Sequence, residues 1–143
     1  MNFMNSSESV KILKSGFFYF LGIFALGFVL GTVRISVLVP RIGALYGVLL
    51  EIPIMLSVSW FFSRWLILRY SVQSGVKPLL AFGFWAFFLL ISTETVFALT
   101  VFGQTPAEYL AGLQTLPGAL GLGAQIVFGI IPALHREQGF KPE

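Results

Sequence analysis

Four long apolar runs constrain this chain more than anything else in it: residues 15–39, 42–68, 78–103 and 117–134. A helix needs about 20 apolar residues, at about 1.5 Å each, to cross the hydrocarbon of a bilayer. A soluble domain of 143 residues could not hide these runs. Hydrophobic residues make up 57% of the chain, charged residues 10%, and the mean hydropathy is +0.89. Soluble domains carry about 25% charged residues, and apolar patches of this size aggregate in water. The implied solvent is lipid, where backbone groups must bond internally, so the runs read as helices. The expected fold is all-α, an integral membrane four-helix bundle at residues 15–134. Residues 1–14 form an N-terminal segment and 135–143 a tail.

The basic residues orient this bundle. Lys11 and Lys14 precede the first run, Arg64, Arg69 and Lys77 surround the link between the second and third, and Arg136 and Lys141 follow the fourth. Four spans place all of these on one side and leave only Arg34 and Arg41 for the other. The positive-inside rule makes the richer side cytoplasmic, with both termini there. The first run is too long for a cleaved signal and lacks a small-residue cleavage site before Arg34, so it reads as an uncleaved anchor. Pro40 is expected to end it. In the outer link, "TPAE" at 105–108 is a capping-box pattern with Pro106 at the first helical position. It predicts a short helix to about Gln114 with Tyr109, Leu110 and Leu113 on one face, lying flat at the interface.

Each run also carries one strongly polar residue in its outer half. Glu94 lies roughly 12 Å below the outer end of its run, Glu51 roughly 13 Å, Gln125 roughly 12 Å and Arg34 roughly 8 Å, at helical rise. A centred charge facing lipid costs about 2.5–3.5 kcal/mol, so these side chains are expected to point inward and meet. Helical phase agrees, with Gly27 and Gly31 on the face of Arg34, and Gly118, Gly121 and Gly129 on the face of Gln125. Small residues let helices approach in lipid, and Gly43-x-x-x-Gly47 adds a further pair. Arginine stays charged and can hold one carboxylate by a two-pronged contact. The layer is thus expected to hold one positive charge, one negative charge and one proton, or a bound cation in the proton's place. Pro53 and Pro132 remove helical donors from the carbonyls of Leu49 and Phe128 and are candidate kinks. Ser57, Ser59, Ser92, Thr93 and Thr95 are hydroxyls within reach of the layer.

Several chemistries have no residue set. The chain has no cysteine and one histidine, so metal and haem ligation are not expected. His135 follows the fourth run at the cytoplasmic end, away from both buried acids, and reads as an interfacial residue. No serine–histidine–acid set shares one depth. The glycines of "GALGLGAQ" follow no strand and read as helix packing rather than a phosphate cradle. The net charge of +3 is scattered between apolar runs and forms no nucleic-acid stripe. Trp60, Trp65 and Trp85 suit an interfacial belt toward the cytoplasmic side.

The pattern "FALGFVLGTVR…VLVPRIG…LLEIPIMLSVSWFFSRWL", with a glutamate in the third run and "PG" opening the fourth, resembles a group of short bacterial inner-membrane proteins. The resemblance implies four helices and a bacterial inner membrane, and no activity. "GFVLGTVRISVLVP" at 27–40 also resembles the first-helix glycine-and-arginine stretch of small fluoride channels. Their second helix has an asparagine after Gly-Thr, where this chain has "GVLLEIPIM".

No enzyme chemistry and no cofactor are expected. Two functions remain. One is a small transporter or channel-like protein for a proton, ion or small polar solute, handled by Arg34, Glu51, Glu94 and Gln125. The other is a non-catalytic subunit or assembly factor of a larger membrane complex, in which those residues are internal glue. The expected partners are the lipid bilayer and either further copies of the chain or such a complex.

Overall fold

The computed structural model describes residues 6–72 and 75–135. Arg136 and Lys141, two of the residues that orient the sequence, lie outside the described residues. Every regular element among those described is helical: α1 (Ser6–Val33), a π turn (Arg34–Leu38), α2 (Val39–Arg69), α3 (Val76–Val96), a second π turn (Phe97–Val101), α4 (Pro106–Leu113) and α5 (Leu116–Leu134). Three helical stretches are long and apolar enough to cross a membrane, Ser7–Arg69, Val76–Val101 and Leu116–Leu134.

The first stretch, 63 residues, is far longer than one crossing needs, and it doubles back. Inside α2 only Gly43 has non-helical dihedrals, φ 88° and ψ 166°. A side chain there would be strained, so glycine supplies the corner. Gly22 lies against Phe62, Gly27 against Met55 and Gly47 against Arg34, pairs that converge on the Ile42–Gly43 corner. The two arms therefore run antiparallel. This moves the expected helix end from Pro40 to Gly43. In the π turn the Val39 N–H already reaches back to the Arg34 carbonyl. The four-residue ladder that a proline ring crowds is thus interrupted before Pro40 is met.

The far end of α2 stops in a Schellman motif. The Val72 N–H bonds the Ile67 carbonyl and the Ser71 N–H bonds that of Leu68. Ser71 takes the left-handed conformation at φ 51°, and Val72 and Ile67 are both buried, the apolar contact that accompanies this cap. At the other end, Thr105 caps α4 by accepting from the Glu108 N–H at 3.1 Å, and Thr115 caps α5 by accepting from the Gly118 N–H at 3.2 Å. The α4 start agrees with the "TPAE" reading. Tyr109 and Leu113 turn inward, while Leu110 is exposed, which narrows the expected apolar face of α4 to one turn.

Contacts between helices close a ring: α1 meets α2 and α3, and α5 meets α3 and α2. The link from α2 to α3 therefore crosses the ring, whereas short connections alone imply that sequence neighbours pack side by side. The tightest approach joins α3 to α5. A Cβ on Gly83 would lie 1.8 Å from the Gly129 carbonyl oxygen, so the backbones touch. Of the glycines expected at contacts, Gly27, Gly47 and Gly129 face neighbouring helices, and Gly118 faces Gly112 and Leu113 of α4. Three do not fit. Gly43 is the corner, Gly121 has open space around it, and Gly31 meets only Arg34 of its own arm. Phase alone cannot say which glycine a neighbour reaches.

Burial is uneven along the ring. Tyr19, Leu66, Ile67, Leu79, Phe82 and His135 are fully buried and lie at one end, whereas Val48 and Ala98 are the buried apolar side chains near the Gly43 corner. Gly83→Ala is expected to cost about 1–3 kcal/mol, the range for overpacking, while Gly121→Ala leaves stability unchanged or slightly raised. Equilibrium unfolding in mixed micelles measures both. Equal losses at the two positions would contradict the close α3–α5 contact.

Candidate functional site

The four polar residues singled out in the sequence form two pairs on four helical arms. Arg34 opens the first π turn, and its Nε lies 2.9 Å from Glu51 Oε2. The Nε–H is not aligned on that oxygen, and neither atom makes a directional hydrogen bond. Charge rather than geometry holds this pair, in place of the two-pronged contact the residue types allow. Gly47 makes room for it: a Cβ there would sit 2.9 Å from Arg34 Cγ. Across the ring, Gln125 Nε2 donates to Glu94 Oε2. Glu94 also feels the charges of both Glu51 and Arg34, so the pairs act as one electrostatic unit.

This unit has two acids and one arginine. With both acids ionised it carries one surplus negative charge, which a proton or monovalent cation balances. Gln125 suits a carboxyl that changes protonation state, because its amide donates to a carboxylate and, turned over, accepts from a carboxylic acid. The layer is only partly closed: the Arg34 side chain is 29% exposed and that of Glu51 17%. The second π turn begins three residues after Glu94, and the Phe97 N–H is shared between the Glu94 and Thr93 carbonyls. Such turns recur at functional sites because they rotate the residues around them off the regular helical phase. Beside Glu94, Thr95 Oγ1 donates to the Tyr109 hydroxyl at 3.1 Å. That bond ties α4 to the layer.

A second polar cluster, at the tightly packed end, has no counterpart in the sequence reading. The Tyr19 hydroxyl donates to the Phe128 carbonyl at 2.8 Å, with the buried Ser59 and Ser63 of α2 close by. Pro132 explains why that carbonyl is open, since residue 132 has no N–H to give it. Ser63 donates to the Trp60 carbonyl at 3.1 Å, and His135 Nε2 lies 3.1 Å from the same oxygen. A carbonyl only accepts, so Nε2 carries the hydrogen. His135 is fully buried, its ring 4.2 Å from that of Trp60, so it packs within the protein at the end of α5. Ser59, a candidate for the Glu51 layer, instead donates to the Met55 carbonyl at 2.7 Å and belongs to this cluster. Pro53 causes no break, as Gly43 is the only non-helical residue in α2. The freed Phe128 carbonyl was the one clue available without the fold.

No protein-family model matches the chain, and none of the curated proteins or solved structures is significantly similar to it. The two resemblances noted in the sequence thus gain no support from these comparisons.

Two stability measurements follow. Arg34→Gln and Glu51→Gln should each cost about 1–3 kcal/mol, less than a fully sealed ion pair because both groups are partly exposed. The double substitution should cost clearly less than their sum, and strict additivity would show the pair to be idle. Tyr19→Phe should cost about 1–3 kcal/mol by stranding the Phe128 carbonyl. In a Pro132→Ala background, where residue 132 regains its donor, that cost should shrink. An unchanged cost would mean the carbonyl is not what Tyr19 serves.

Proposed function

We propose that this chain is a small integral protein of a bacterial inner membrane, with four spans and both termini cytoplasmic, that moves a proton, a monovalent cation or a small polar solute through the layer of Arg34, Glu51, Glu94 and Gln125. The observation that carries this reading is the place of the layer. It lies in the loosely packed half of the ring with its charged groups partly exposed. A structural lock is dry and fully bonded, because an unmet polar group in low dielectric is costly. This layer is neither sealed nor fully hydrogen-bonded. An ionisable group within a span is a functional hypothesis by default.

The roles follow from the pairing. Arg34 is the counter-charge of Glu51. Glu94, bonded to a neutral amide, is the group that exchanges a proton or cation. In the proposed topology α4 lies at the outer interface, and the Thr95–Tyr109 bond lets it act as a lid. No step needs a nucleophile or a resident metal, so the protein is read as a carrier or pore rather than an enzyme.

A second reading, as accessory subunit of a membrane complex, draws on the apolar groove of about 520 Å³ between α3 and α5, walled by Leu80, Phe84, Ile126 and Ile130. Lipid tails fill such a groove equally well, which leaves transport ahead.

Flux decides between the two. In vesicles containing the purified chain and a pH-sensitive dye, an imposed gradient should dissipate faster than in empty vesicles. Glu94→Gln should remove the effect while helicity and unfolding midpoint stay near wild type. If wild type moves no protons, alkali cations or halides, the subunit reading replaces this one. Topology has its own test: because the chain lacks cysteine, single cysteines at positions 8 and 108 should be labelled from opposite sides. Labelling from one side would overturn the assigned arrangement.

A further inference from the structure

At the end of the molecule opposite the Gly43 corner, a cavity of about 530 Å³ opens between the start of α1 and the end of α2. Lys11, Lys14 and Arg69 line it, with the hydroxyls of Ser7, Tyr70 and Ser71. Chain distance does not predict this meeting. Antiparallel packing of the two arms about Gly43 brings the cations together, and the Schellman cap turns Ser71 into the wall. Glu8 Oε1 lies 3.2 Å from Lys11 Nζ, which offsets one of the three positive charges and, among the described residues that line the cavity, leaves two in excess. The Arg69 guanidinium sits 5.9 Å from the centre of the Tyr70 ring, a stacking that holds its fork in place.

The walls change character toward the middle of the molecule. One turn beyond Lys14 the exposed Phe18 stacks on Tyr70 at 5.9 Å. Phe17, Leu21 and Leu68 continue an exposed apolar surface beyond it. The site is therefore a cationic, hydroxyl-rich mouth at the tip of an apolar track. A ligand that matches both parts has a phosphate at one end and hydrocarbon at the other.

We infer that this cavity binds the phosphodiester headgroup of an anionic phospholipid of the cytoplasmic leaflet, with Lys14 and Arg69 on the phosphate, the hydroxyls on the glycerol or headgroup oxygens, and an acyl chain along Phe18. Basic pockets between spans on the cytoplasmic side hold such headgroups by charge and hydrogen bonding together, and guanidinium suits phosphate by geometry. This site rests on the proposed membrane orientation but not on transport, since it shares no residue with the Arg34 layer.

The test is retention of lipid by the full chain in mild detergent. The protein is equilibrated with equal amounts of phosphatidylglycerol and phosphatidylcholine, and bound lipid is read by native mass spectrometry. Wild type should keep phosphatidylglycerol at least about tenfold over phosphatidylcholine. Lys14→Gln with Arg69→Gln should bring that ratio to within about twofold, and Lys14→Arg with Arg69→Lys should restore most of it. Arg64→Gln, at the same end but outside the cavity, should leave it unchanged. Equal retention of the two lipids by wild type, or an equal loss in Arg64→Gln, would overturn the site. Displacement of the lipid by millimolar glycerol 1-phosphate would reassign the cavity to a soluble phosphate ester and overturn the lipid reading. None of these outcomes bears on proton flux, so the two proposals fail separately.

Discussion

The ion pair between Arg34 and Glu51 is the constraint on which the rest depends. A guanidinium set among apolar helices has no way to lose its charge, so the fold must bring it a partner. The partner sits on the next arm, and only a tight reversal sets the two level. Gly43 supplies the reversal through a dihedral pair closed to other residues. Gly47 leaves room for the arginine stem, and the π turn at Arg34 sets its direction. Corner, gap and turn are local features of separate stretches, and all of them serve one contact.

The other half of the molecule answers the same demand without charge. Pro132 opens a carbonyl in α5, and Tyr19 of α1 closes it with its hydroxyl. His135 and Ser63 meet on the Trp60 carbonyl. Every one of these groups is neutral or can be, so this end packs densely and excludes solvent. The charged layer at the opposite end cannot pack so closely, because its side chains are long and only partly paired. Tight end and loose end are two outcomes of one rule: hydrocarbon admits polar groups only in company.

Much of this was legible in the sequence, and the reason differs by feature. Helix content and the apolar runs follow from composition and length, which need no tertiary information. The Thr105 cap follows from local chemistry. The meeting of Arg34 with Glu51, and of Glu94 with Gln125, was accessible because depth in a membrane can be counted along a helix. What failed was lateral information. Nothing local tells that α2 packs on α5 rather than beside α3, that Gly83 rather than Gly121 carries a contact, or that Tyr19 reaches Phe128. The π turns were also hidden, since neither contains a proline or a glycine. The helix end at Pro40 was misplaced for the same reason, because a proline stops only a helix whose four-residue ladder is still running.

The most direct test is a charge exchange across the Gly43 hairpin, read as the amount of folded, membrane-inserted protein. Arg34→Glu alone and Glu51→Arg alone each place two like charges together and should each deplete folded protein strongly. Made together, they restore opposite charges at the same two positions and should recover most of the wild-type level. If each single reversal accumulates like wild type, or the exchange recovers nothing, Arg34 and Glu51 do not meet within the membrane and the account fails at its base.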